Sequence, residues 1–192
     1  MKRVCVFAGS NVGASPEYAQ KAVQLGEVIA DKDFELVYGG SRIGLMGRVA
    51  DSVLAAGGKV IGVMPRNLFK GEMIHPGLTE LHEVDSMHER KALMSEMADS
   101  YIALPGGLGT YEELFEVVSW SQLGIHKKPV GVLNVAGFYQ PMAEMFRQAV
   151  LAGFMQQTNL GLIIFEEDPE LLIDKLINYM PPEQTYKWNE LA

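Results

Sequence analysis

Short apolar runs recur along the chain: Val4–Phe7, Leu36–Tyr38, Val60–Val63, Tyr101–Leu104, Val130–Leu133 and Leu162–Phe165. Each is nearly continuous rather than alternating, which predicts parallel strands covered on both faces. The segments between them carry the helical period. Pro16 suits a first turn, and Tyr18, Ala22, Leu25 and Ile29 follow at spacings of three and four. Leu45–Ala56, Met87–Ala98, Tyr111–Leu123, Pro141–Leu151 and Pro169–Tyr179 repeat that pattern. Strand and helix alternate throughout, which predicts right-handed βαβ crossovers and an α/β fold: one doubly wound parallel sheet, Rossmann-like. No repeat, linker or low-complexity stretch divides residues 1–192, so a single domain is expected.

In such sheets ligands sit beyond the carboxyl ends of the strands, where the strand order reverses. The turns in those places are rich in glycine: Gly9-Ser10-Asn11-Val12-Gly13, Gly39-Gly40-Ser41 through Gly47, and Pro105-Gly106-Gly107-Leu108-Gly109-Thr110. Any one of them could be no more than a tight turn. Together they predict a phosphate cradle, because glycine lets backbone N–H groups approach an anion at a helix N-terminus. Arg42, Arg48, Arg66 and Arg90 fall in the stretch leading into and between these turns, which suits a small phosphorylated ligand. A solvated basic face is the bland alternative.

Composition narrows the partners. The formal charge is −8, from 16 Lys and Arg against 24 Asp and Glu, a field that repels a nucleic-acid backbone. Nucleic-acid binding is therefore not expected. Lys2-Arg3 precedes an apolar run too short for a signal peptide, and the uncharged stretch from Gln148 to Phe165 is broken by Gln156-Gln157-Thr158-Asn159. No membrane association and a cytoplasmic location are expected. The single cysteine, Cys5, lies inside the first strand and reads as a small buried apolar residue. His75, His82, His88 and His126 make no helical metal pair, so no metal is expected.

Familiar nucleotide fingerprints are missing. A dinucleotide site needs G-x-G-x-x-G in the first turn and an acidic residue ending the second strand. The chain has Gly9-x-x-x-Gly13 and Val37-Tyr38-Gly39 there. A P-loop needs Gly-Lys-Ser/Thr, whereas Gly58-Lys59 precedes Val60. A nucleotide-dependent oxidoreductase is thus disfavoured.

Pro105-Gly106-Gly107-Leu108-Gly109-Thr110-Tyr111-Glu112-Glu113 resembles the P-G-G-x-G-T-x-x-E motif of the Lonely Guy (LOG) family, the cytokinin riboside 5′-monophosphate phosphoribohydrolases. The likeness covers nearly the whole chain. Phe7-Ala8-Gly9-Ser10-Asn11, the Gly39–Gly47 segment, Gly71-Glu72 and Met87-His88-Glu89-Arg90-Lys91 resemble the family's other segments. Members once carried a lysine decarboxylase label, but no lysine here sits in a recognisable pyridoxal-phosphate setting.

The resemblance implies hydrolysis of a nucleoside 5′-monophosphate, AMP or an N6-substituted adenylate, to free base and ribose 5-phosphate, with no cofactor. It implies Glu113 as the carboxylate that steadies an oxocarbenium-like ribose or orients water, and Arg90 as its cationic partner. Gly106, Gly107, Leu108, Gly109 and Thr110 would hold the 5′-phosphate, with Glu72, Lys91, Tyr111 and Glu112 at substrate-contacting positions. Ser119 stands where many relatives have threonine, and the resemblance implies a substrate contact through its hydroxyl.

Spacing alone leaves another role for the central glutamate. Thr110-x-x-Glu113 is also the pattern of a capping box. Glu112 is offset by about 100° on a helix, so the two glutamates cannot face one site equally. A nucleotide sensor or carrier without turnover is the rival function. Finally, Tyr111, Leu114, Phe115, Val117, Val118, Trp120 and Leu123 place apolar side chains around most of a helix, which predicts a homodimer built on it.

Overall fold

A computed structural model describes residues 1–66 and 73–183. Its centre is a seven-stranded sheet in which every pairing is parallel. In chain order the elements are β1 (Arg3–Phe7), α1 (Pro16–Asp31), β2 (Glu35–Tyr38), α2 (Gly44–Ala55), β3 (Val60–Pro65) and β4 (Glu80–Val84). They continue with α3 (Met87–Met97), β5 (Ser100–Ala103), α4 (Leu108–Gln122), β6 (Val130–Leu133), α5 (Gln140–Leu151), β7 (Ile164–Glu166) and α6 (Pro169–Ile177).

The strand order is β4-β3-β2-β1-β5-β6-β7. The chain runs outward from β1 to one edge, returns, and lays β5 on the other side of β1. The order therefore reverses between β1 and β5, and a crevice opens at their carboxyl ends.

Alternation along β1 divides the core in two. Val4 and Val6 pack with Leu25, Ile29, Val49, Val53 and Leu172 from α1, α2 and α6. Cys5 and Phe7 point the other way, toward Met94, Leu114 and Val117 of α3 and α4. Both faces are covered, which is why these strands read as unbroken apolar runs.

Local signals set the helix starts. The Ser15 hydroxyl accepts from the Glu17 N–H, and Pro16 and Glu17 occupy the first turn of α1, where a fixed φ and a negative charge both suit the helix. In α3, Ser86 accepts from the Glu89 N–H at 3.1 Å while Glu89 accepts from the Asp85 N–H at 2.8 Å. That pair of bonds fixes the turn that carries Arg90.

Two elements depart from the hydropathy pattern. β4 is a strand the apolar runs do not reveal, because Glu80, His82 and Glu83 make it polar; among the described residues it pairs only with β3, and charge on an edge blocks further pairing. At the other edge, β7 begins at Ile164, with Gln157–Leu162 wound as a 3₁₀ turn before it. Among the described residues no helix is long and apolar enough to cross a membrane.

Candidate active site

Helix α4 starts one turn earlier than its apolar period suggests. Its N-cap is Gly107, which offers no side chain to the first turn, and the first backbone bond runs from the Tyr111 N–H to the Gly107 carbonyl. Thr110 thus lies inside the helix, and the capping-box alternative for Glu113 is overturned. Burial explains the shift. Thr110 is packed against Gly106, where a Cβ would come within 2.1 Å of its Oγ1. Gly106 in turn lies against the first glycine turn, whose Gly9 N–H donates to the Pro105 carbonyl. The first-turn N–H groups of α4 have no side-chain cap and no acceptor within the helix, so the positive end of the helix is open to an anion.

A pocket of about 240 Å³ lies beside that helix end. It is bounded by the Gly9–Gly13 turn, Pro105–Gly107, Leu45, and the rings of Tyr18 and Phe138. Tyr18 meets Phe138 edge-on, and Tyr111 of α4 stacks on the other part of the same aromatic group. The first and third glycine turns therefore share one crevice. The middle one behaves differently. Its Leu45 and Met46 N–H groups are spent on the Gly9 carbonyl, and a Cβ on Gly44 would meet the Ser10 backbone at 2.2 Å. There glycine serves close packing, and only Leu45 of that loop reaches the pocket.

Nearly two turns along α4 from the pocket lies the charged pair. Arg90 is 8% exposed, and its Nη1 stands 3.5 Å from Glu113 Oε1. Its Nε donates to the Val63 carbonyl at the end of β3, at 3.0 Å. Burial pushes the Glu113 carboxyl above its ordinary range, and the Arg90 charge partly pulls it back. The Cys5 thiol is driven up by its own burial and by Glu113 nearby. Neither Arg90 nor Glu113 lines the 240 Å³ pocket. Six residues separate Gly107 from Glu113, roughly 9 Å of helix rise.

The remaining expected residues differ in their surroundings. Lys91 turns from Arg90 toward α4, where its Nζ meets Glu112 Oε1 at 2.5 Å and Glu116 Oε1 at 3.0 Å. Glu112 is exposed, offset from Glu113 as helix geometry requires. Leu108 is 88% exposed, Gly107 and Gly109 are exposed, and Gly106 is half-buried. Ser119 is exposed two turns beyond Glu112 on the same outward stripe. Glu72 lies outside the described residues. Of the arginines, only Arg90 is buried; Arg42 and Arg48 are exposed, and Arg66 pairs with Asp85 at the surface. Nothing in the sequence marks Tyr18, Phe138 or the Val63 carbonyl as part of the site. Their positions depend on segments far apart in the chain, and no local spacing signals them.

A doubly wound sheet with an uncapped helix end beside a pocket at its switch point defines a nucleotide-binding α/β protein. Comparison places the chain within that class. The family model described as "Possible lysine decarboxylase" matches residues 46–176. The cytokinin riboside 5′-monophosphate phosphoribohydrolase LOG of Oryza sativa subsp. japonica is 47% identical over 94% of this chain and 74% of its own length. LOG1 of Arabidopsis thaliana, described by the same activity, is 44% identical over 94% of this chain and 84% of its own. The chain belongs to the LOG family.

The fold is also shared with the molybdenum cofactor binding protein of Rippkaea orientalis, at TM-score 0.69 and 24% identity over 93% of this chain and 97% of that one. The molybdenum cofactor carrier protein of Chlamydomonas reinhardtii has the same TM-score at 22% identity, over 93% and 99%.

Proposed function

We propose that this chain hydrolyses the N-glycosidic bond of a nucleoside 5′-monophosphate, AMP or an N6-substituted adenylate, to free base and ribose 5-phosphate. The observation that carries it is the buried Arg90–Glu113 pair set roughly 9 Å along α4 from its open N-terminus. The N–H groups of that terminus take the phosphate dianion, where the helix dipole favours it. The ribose then lies along α4 toward Glu113. As the bond from the anomeric carbon to the base nitrogen breaks, positive charge grows on the sugar, and an ionised Glu113 faces it. The same carboxylate can orient water, whose oxygen bonds to the anomeric carbon while a proton passes on to the departing base. Arg90 supplies the cation that opposes the effect of burial and favours the ionised form of Glu113.

Phosphate recognition makes the test direct. Released base and ribose 5-phosphate are assayed from AMP, N6-substituted adenylates and adenosine. Adenosine should be turned over about a hundredfold or more slowly than AMP, because the helix-end donors lose their partner. Equal rates would show that α4 does not hold phosphate. Tight AMP binding with no base released would make the protein a carrier.

The same proposal includes a cytoplasmic homodimer. Phe115, 69%-exposed Leu123, Ile125, Met145, Leu151 and 83%-exposed Phe154 leave apolar surface along α4, α5 and the segments after them. A second copy is the commonest cover for such a face. Light scattering should give a dimer at micromolar concentration, and Leu123→Asp should weaken it. A monomer mass would end this part of the proposal.

A further inference from the structure

The guanidinium of Arg90 lies across the ends of two strands. Its Nε is bonded to the Val63 carbonyl of β3, and its Nη2 sits over Gly39, the residue that follows β2. A Cβ on Gly39 would be 2.0 Å from Nη2, 3.3 Å from Cζ and 3.2 Å from the Met46 sulfur. Nη1 meanwhile faces Glu113 and donates to the Met87 sulfur at 3.9 Å. Every edge of the group is therefore met by a named atom. Gly39 also differs from its neighbour. Gly40 has φ +79°, a backbone conformation that favours glycine, whereas Gly39 is not in that region. Alanine at 39 is thus acceptable to the chain and unacceptable to the guanidinium.

Resting on the proposed role of Arg90 and Glu113, we propose that Gly39 is a positioning residue: its bare Cα is the seat that aims Arg90 at Glu113. The argument turns on a difference in cost. Nη2 is the far end of a flexible side chain, so the fold can absorb a methyl group by letting the guanidinium swing away. The site cannot, because a misplacement of about 1 Å in a reacting constellation costs on the order of a hundredfold in rate. Swinging Arg90 away also removes the charge that counters the burial of Glu113. The groups facing Glu113 are Arg90 and Lys91 of α3, Glu112 and Glu116 of its own helix, and Cys5 of β1. Lys91 is held by the two glutamates, so Arg90 is the cation whose loss Glu113 feels.

The test is a double-mutant cycle on the intact chain with AMP as substrate. Gly39→Ala should lower kcat roughly a hundredfold with KM changed only a few-fold, and move the acid limb of the rate profile to higher pH. Arg90→Lys removes the atom that the methyl would strike. Adding Gly39→Ala to it should therefore cost nothing further. Should Gly39→Ala alone fail to fold, Arg90→Lys should restore folding. Wild-type kcat and pH profile in Gly39→Ala overturn the inference, as do losses that multiply in the double variant or a double variant that remains unfolded. If Arg90→Ala and Glu113→Gln keep full turnover, the site itself is wrong and the inference falls with it. Normal Gly39→Ala beside inactive Arg90→Ala removes the inference alone.

Discussion

Helices α3 and α4 meet through two neighbouring sets of charges that share the same residue types and live in different surroundings. Arg90 and Glu113 face inward, with side chains 10% and 12% exposed. Lys91 and Glu112 are one residue away along each helix and Glu116 lies three beyond Glu113; here Lys91 is 12% exposed, Glu116 24% and Glu112 54%. The outer set has the shorter contacts and the smaller consequence. Water reaches it through the exposed carboxylate of Glu112, and an ion pair screened in that way contributes about 0–1 kcal/mol. In the inner set, burial makes the charge on Glu113 costly, and the long contact to Arg90 repays only part of that cost. A buried carboxylate set beside a cation is the kind of group that can stabilise a cationic transition state.

The largest effect expected from that contrast belongs to Glu113→Gln. Turnover should fall by about 10²–10⁴-fold, the usual contribution of such a group, while AMP binding survives. Stability should move the opposite way. Glu113 has a folded pKa above its unfolded value, so its contribution favours the fold at low pH and is lost as pH rises through the raised value. At neutral pH a neutral isostere relieves that loss, even after the attraction of Arg90 is counted. A calorimetric Tm above wild type is expected, by about 2–4 °C for each kcal/mol relieved. A lower Tm with unchanged turnover would mean that Glu113 is structural.

Arg90→Ala comes next. It leaves Glu113 buried without its cation and should cost about 3 kcal/mol, the low end for a broken buried pair, because the carboxyl can take up a proton instead. Since Arg90 holds the Glu113 carboxyl down, the acid limb of the kcat/KM profile should move to higher pH. Rates followed from pH 4 to 8 check the direction; an unmoved limb would uncouple the two residues.

The smallest change should come from Glu112→Gln. One of the two partners of Lys91 remains, and a surface substitution of this kind stays within about 0.5 kcal/mol. Turnover should remain within a few-fold of wild type. A loss as deep as that of Glu113→Gln would erase the distinction between the two faces of α4 and give Lys91 and Glu112 a direct part in binding substrate.

How much of the site could be read in advance differs residue by residue. The period of α4 was enough to say that Glu112 and Glu113 point apart, because a helix turns about 100° per residue whatever surrounds it. The first residue of α4 was not legible. Two weak helix formers, Gly107 and Gly109, precede an apparent cap at Thr110, and burial of Thr110 against Gly106 decides the matter. Strand β4 escaped because edge strands need no apolar run. Gly39 looked like one more glycine of a phosphate loop until Arg90 was seen lying over it.

The sequence by itself determined the α/β alternation, the parallel sheet, the glycine turns at its carboxyl ends and the family to which those turns belong. These follow from period, turn chemistry and motif, which are local properties of the chain. The resemblance paired Arg90 with Glu113, but tertiary structure alone decided that both are buried within 3.5 Å of each other, and which glycine turn packs rather than binds. Each of those outcomes needs atoms from β2, β3, α3 and α4 brought within a few ångströms, and burial, not spacing, sets the charge that results.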